Sequence, residues 1–141
     1  MSDPIQDSVP PQPPPPPAYI PPAPTTSGLS DNVAAALAYI TIIPAIIFLI
    51  LEPYNKIPLV RFHSFQSIAL GVVAFALQII LSMGQISLHA IPLSWMLFSI
   101  LHLLLVLVLF IAWLVAILKA GKGEWYKLPV IGDFAEKQAR S

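Results

Sequence analysis

No cysteine occurs among the 141 residues, so disulfides, thiolate nucleophiles, thiolate zinc sites and iron–sulfur clusters are excluded together. Charge is scarce as well: Asp, Glu, Lys and Arg make up 10% of the chain and cancel, seven against seven. Without a net basic surface there is no electrostatic footprint for nucleic acid. The first 32 residues hold no Lys or Arg and no continuous apolar core, which argues against a cleavable signal and leaves targeting to the first apolar segment. Phosphate-binding glycine loops, H-E-x-x-H and G-x-S-x-G are all missing, and no acidic residue falls inside an apolar stretch to carry protons. The sequence therefore offers no catalytic, cofactor-binding or metal-ligating set, and a non-enzymatic protein is expected.

What is abundant is apolar surface. Apolar residues reach 57%, and the mean hydropathy is +0.79, far from the composition of soluble domains. Lipid is the expected solvent, and an all-α membrane protein the expected fold. Residues 1–32 differ sharply, holding 11 of the 16 prolines, including Pro13 to Pro17. They bury too little to offset the entropy of ordering, and read as a disordered tail with polyproline II character. Pro16, Pro17, Ala18 and Tyr19 fit the P-P-x-Y pattern of a peptide-binding partner such as a WW domain, if the tail is cytoplasmic.

Three apolar stretches follow, at 33–51, 65–83 and 96–118. Nineteen residues of helix cover about 28 Å at ~1.5 Å per residue, close to a hydrocarbon core of ~30 Å. Three spans are therefore predicted, although Pro44 in the middle of the first invites a kink or a re-entrant hairpin. In the three-span arrangement the tail and the loop 84–94 share one side without Lys or Arg. All seven basic residues then lie on the other, which the positive-inside rule makes cytoplasmic. A re-entrant first segment would satisfy the rule equally, with the tail on the cytoplasmic side. Residues 119–141 mix aromatics and charges as an interfacial C-terminal segment does, and the cell membrane is the expected location, with the C-terminus cytoplasmic.

Polar and small residues collect on faces. In the second stretch His63, Ser67, Gly71, Ala74, Gln78 and Ser82 follow steps of three and four, the spacing of one helical stripe. Small side chains let helix backbones approach, so Ser67, Gly71, Ala74 and Gln78 are candidates for helix packing, as are Ala112 and Ala116 in the third stretch. A polar pathway is the competing reading of the same stripe. His102 lies inside the third stretch, His89 in the uncharged loop and His63 at the cytoplasmic end of the second stretch, near the opposite face of the membrane from His102, so a shared metal is not expected. Gly71 is expected to pack tightly and Val72 to face lipid.

Two segments carry a family likeness: Arg61-Phe62-His63-Ser64-Phe65-Gln66-Ser67, and the run from Lys119 to Lys137 that contains G-E-W-Y-K-L-P-V-I-G. They resemble motifs of small multi-pass membrane proteins, mostly prokaryotic and uncharacterised, that are grouped with the chloroplast inner-envelope protein-import component. The likeness covers roughly residues 33–138. It implies a helical membrane domain there, with one motif opening a helix and the other following the last. Arg61, His63, Gln66, Lys127 and Asp133 are the candidates for a collar at the cytoplasmic face, with Arg61 reaching lipid phosphate or C-terminal carboxylates and Asp133 capping a short helix. The function expected is an oligomeric membrane assembly or scaffold component; the alternative is a channel or protein-translocation component built by oligomerisation. The expected partners are the bilayer and further copies of the chain or other membrane proteins.

Overall fold

The computed structural model describes residues 28–141, so the proline-rich run and its P-P-x-Y motif lie outside it. The described residues form five helices: α1 Asp31–Leu37, α2 Ile42–Ile50, α3 Pro58–Ser87, α4 Ser94–Gly121 and α5 Ile131–Arg140, with a single 3-10 turn at Tyr54–Lys56. Two of them, α3 and α4, are long and apolar enough to cross a membrane. At ~1.5 Å per residue their 30 and 28 residues run about 45 and 42 Å, beyond the hydrocarbon core at both ends.

The single helix expected over 33–51 is instead two short ones. The chain leaves α1 at Ala38, passes through extended backbone at Thr41 (φ −150°) and re-enters a helix at Ile42. Pro44 explains the position of the break. Its ring clashes with the carbonyl four residues back, so Ile40 must stay outside the helix, and the first turn of α2 is where proline is tolerated.

The two short helices form a hairpin that returns to the end where it began. The backbone N–H of Leu29, just before α1, donates to the hydroxyl of Tyr54, just after α2, at 2.8 Å. Asn32 in the first turn of α1 also lies against Gly123, beyond the end of α4. Residues 28–32 therefore sit at the same end of the molecule as α5. Among the described residues two helices, not three, are long and apolar enough to cross a membrane, and the segment expected as the first span is a hairpin of two short helices. Gly123 has φ +74°, and an added Cβ would stand 2.7 Å from the Asn32 Oδ1, so the close approach requires glycine.

Burial is concentrated at that end. Ala34, Ala38, Ala45, Phe48, Tyr54 and Val60 join the hairpin to α3. Ala35 and Tyr39 pack on Ala116, Ala120 and Leu128, joining α1 to α4, and Phe62 meets Ala135 and Ala139 of α5. Between Ser67 and Val115 only Ser94 is buried, so both long helices present their flanks to the surroundings. That surface is the part bilayer lipid would cover.

Candidate functional site: a polar knot under the re-entrant hairpin

The first turns of α3 carry four buried polar or ring-bearing side chains in succession, Phe62, His63, Ser64 and Gln66, all without solvent exposure. Buried polar atoms in an apolar setting need partners, and most of these have them. Gln66 Nε2 donates to the Tyr39 hydroxyl at 2.9 Å and to the Tyr126 carbonyl at 3.0 Å, while its Oε1 accepts from the Leu128 N–H at 3.1 Å. The Tyr39 hydroxyl, which accepts from Gln66, is then left to donate to His63 Nδ1 at 3.1 Å. His63 Nε2 consequently carries the proton and donates to the Glu124 carbonyl at 3.0 Å. The network thus assigns the tautomer of a neutral imidazole with both nitrogens engaged.

This chain of bonds joins three parts of the molecule. Tyr39 belongs to the hairpin tip, His63 and Gln66 to α3, and Glu124, Tyr126 and Leu128 to the extended strap between α4 and α5. The tip itself is closed from two sides. Ser67 Oγ donates to the Ala38 carbonyl at 2.6 Å, and Trp113 Nε1 to the Tyr39 carbonyl at 2.7 Å. Carbonyls freed by a broken helix within a membrane must find donors inside the protein, and these two side chains supply them.

Arg61 donates to the carbonyl of Gln138 at 3.1 Å, at the end of α5 where carbonyls lack helical partners. It pairs with no carboxylate among the described residues. Trp125 stacks on Phe62 with ring centroids 4.8 Å apart, and Arg140 lies over the Trp125 ring at 5.9 Å. Lys127 bridges Asp133 and Glu136, and Arg140 also reaches Glu136 at 2.7 Å. The bond from Lys127 holds the Glu136 carboxyl below its ordinary range, with Arg140 adding to it; Glu136 and Asp133 in turn raise Lys127. Glu124 is lowered by its bond to Lys119. Asp133 does not cap α5: it sits inside the first turn, and Val130 holds the cap position with no side-chain bond.

Arg61, His63 and Gln66 therefore meet the C-terminal motif, and Lys127 and Asp133 meet each other within it. Of the packing candidates, Ala116 is fully buried against α1 and Ala112 packs beside it. Ser67 binds the hairpin tip. Gly71 departs from expectation, since an added Cβ there would find nothing within 4 Å; the close approach of α3 to α4 falls at Gly84, where it would meet Phe98 at 2.9 Å. Ala74 lines the cleft beside Gly71, and Gln78 is half-buried. His102 bonds back to the Phe98 carbonyl of its own helix and His89 to that of Ile86. Tyr39 and Trp113 are the members that sequence reading missed. A tyrosine and a tryptophan inside otherwise apolar stretches were the available signal, because their polar atoms must find partners when buried.

A re-entrant hairpin locked against two membrane helices by a strap defines a small helical membrane protein, and the comparisons agree. Residues 30–135 match the model of the magnetosome magnetite crystal formation protein family, and the chain belongs to that family. A UPF0132 membrane protein of Methanocaldococcus jannaschii is 42% identical over 117 residues, covering 82% of this chain and 94% of the relative. A UPF0132 membrane protein of Archaeoglobus fulgidus is 40% identical over 112 residues, covering 78% and 96%. No solved structure matches.

Proposed function

We propose that the chain is a non-enzymatic, oligomeric scaffold component of a membrane assembly, set in the cell membrane by two spans and a re-entrant hairpin. The observation that carries this reading is the use of the buried polar groups. Gln66, His63 and Tyr39 direct their donors and acceptors to one another and to the backbone of the strap, so these three groups build the fold, while the Ser64 hydroxyl beside them is buried without a partner among the described residues.

The charges support an orientation. All seven Lys and Arg residues belong to the end that holds the strap, α5 and the start of α1, which the positive-inside rule assigns to the cytoplasm. The family description concerns crystal formation in magnetosomes. In this chain Glu52, Glu124, Asp133 and Glu136 are paired with Lys or Arg, and no group of three metal-ligating side chains is assembled among the described residues. The part of such a role that suits it is organising the membrane rather than holding metal. The resemblance to a protein-import component favours a translocation role instead, and that reading needs several copies, because two helices and a hairpin enclose no aqueous path.

Native mass spectrometry in mild detergent, paired with solute and ion flux in liposomes, tests the proposal. Oligomers without flux are expected. Selective flux would transfer the assignment to a channel, and a strictly monomeric protein would remove the scaffold reading.

A further inference from the structure

The hairpin of α1 and α2 is shallow. Its helices, of seven and nine residues, run about 10 and 13 Å at ~1.5 Å per residue, no deeper than one leaflet of a ~30 Å hydrocarbon core. Its tip is fixed at that depth, Ala38 by the Ser67 hydroxyl and Tyr39 by the Trp113 indole. Past the tip lies a cleft of about 390 Å³ that reaches Ala74 on α3 and Val106 on α4. From there to the turn at 88–93 neither long helix belongs to a buried cluster, and the packing is of α3 on α4, as where Gly84 lies against Phe98 and where Leu81 and Leu101 line a common cleft. At the strap end, by contrast, α1 packs on α3 and α4, α2 on α3, and α5 along the first turns of α3.

We infer that the chain is a membrane wedge, which expands the leaflet holding its strap end and bends the bilayer convex toward that side. The inference rests on the two-span reading above and gives membrane organisation a mechanical form. A helix with its side chains is about 10–12 Å across, so four helices in one leaflet displace roughly twice the lipid area that two displace in the other. The surface of the hairpin suits acyl chains, since α2 turns Ile43, Ile46, Ile47 and Ile50 outward. Bonds from Gln66, Ser67 and Trp113 hold the hairpin in place, so the lipid and not the protein must yield. The amphipathic α5, docked on Phe62, adds area at headgroup level, where insertion is sensitive to curvature. A flat bilayer then carries a deformation cost that curvature of one sign relieves, and small costs of this kind sort proteins among membranes, as hydrophobic mismatch does. With the orientation set by the basic residues, the convex side is the cytoplasmic one.

Full-length Ser141→Cys, in a chain with no cysteine of its own, reports which way each copy faces. In phosphatidylcholine vesicles of mixed diameter, sparsely loaded, copies with the strap end outward take an impermeant maleimide dye, and inward copies take a second colour after permeabilisation. Outward copies should be about threefold denser per membrane area on the smallest vesicles than on the largest, with inward copies depleted to a similar degree. A density independent of diameter, or one that rises for inward copies, would overturn the wedge and leave the two spans. A chain carrying both Ser8→Cys and Ser141→Cys separates the two readings. In sealed vesicles the impermeant reagent should add to each copy twice or not at all, as intact mass reads it. Copies modified once would overturn the two-span reading and the wedge with it.

Discussion

Gln66 on α3 donates to the Tyr39 hydroxyl at 2.9 Å, and this one bond ties the start of a membrane-spanning helix to the tip of the re-entrant hairpin. The same carboxamide holds the strap at Tyr126 and Leu128, so its loss strands partners on two sides. Gln66→Leu is predicted to cost about 3 kcal/mol or more, since the Tyr39 hydroxyl, the Tyr126 carbonyl and the Leu128 N–H all lose a partner. Tyr39→Phe, which leaves the strap bonds in place, should cost about 1–2 kcal/mol. Thermal unfolding in detergent measures both. Equal costs would mean that the strap bonds contribute nothing.

The hairpin tip has its own pair of locks. Removing the indole donor with Trp113→Phe leaves the Tyr39 carbonyl unpaired, and Ser67→Ala does the same to Ala38. Each should cost about 1–2 kcal/mol and speed amide exchange in residues 38–42, with α5 unaffected. Exchange that rises equally along α5 would indicate global loosening instead.

Glycine positions separate tight contact from open space. Gly84→Val should destabilise the chain, because the new Cβ meets Phe98, whereas Gly71→Ala should leave the folded chain within about 0.5 kcal/mol of the original or slightly better. Unfolding midpoints of the two variants decide this. A larger loss at Gly71 would restore the tight packing expected from the sequence.

The ion pairs of α5 set a pH range. Glu136 has its carboxyl lowered on folding, so its contribution is present above the unfolded value and lost as pH falls through the folded one. Lys127 is raised, so its contribution is present below the ordinary lysine value and lost as pH rises through the folded one. Docking of α5 should thus be flat between roughly pH 5 and 10, with α5 loosening only outside those limits. Trp125 fluorescence against pH reports it. A transition near neutrality would contradict the assignment.

Much of the helical content was legible because periodicity and length are local. The apolar stretches 65–83 and 96–118 fall inside α3 and α4, and α3 begins seven residues earlier than its stretch, at Pro58. Arg61, His63 and Gln66 of the first motif bond to the strap and to α5 of the second. The hairpin was not the favoured reading, since nineteen apolar residues suffice for a span and Pro44 reads as a kink within one helix. What decides against the span is tertiary: donors from Ser67 and Trp113, some 29 and 74 residues from the carbonyls they satisfy, and the bond from Leu29 to Tyr54. Gly71 misled for a related reason, because a small residue on a stripe signals permission for contact, not contact itself.

The first apolar segment turns back, so that residues 28–32 lie at the end of the molecule that holds α5. Single cysteines at Ser8, Ala90 and Ser141, in a chain that has none of its own, test it with an impermeant maleimide applied to intact cells. The account predicts labelling at position 90 only, with positions 8 and 141 reacting after permeabilisation. Labelling of position 8 together with 90 in intact cells, while 141 stays protected, would mean that the segment crosses and would contradict it.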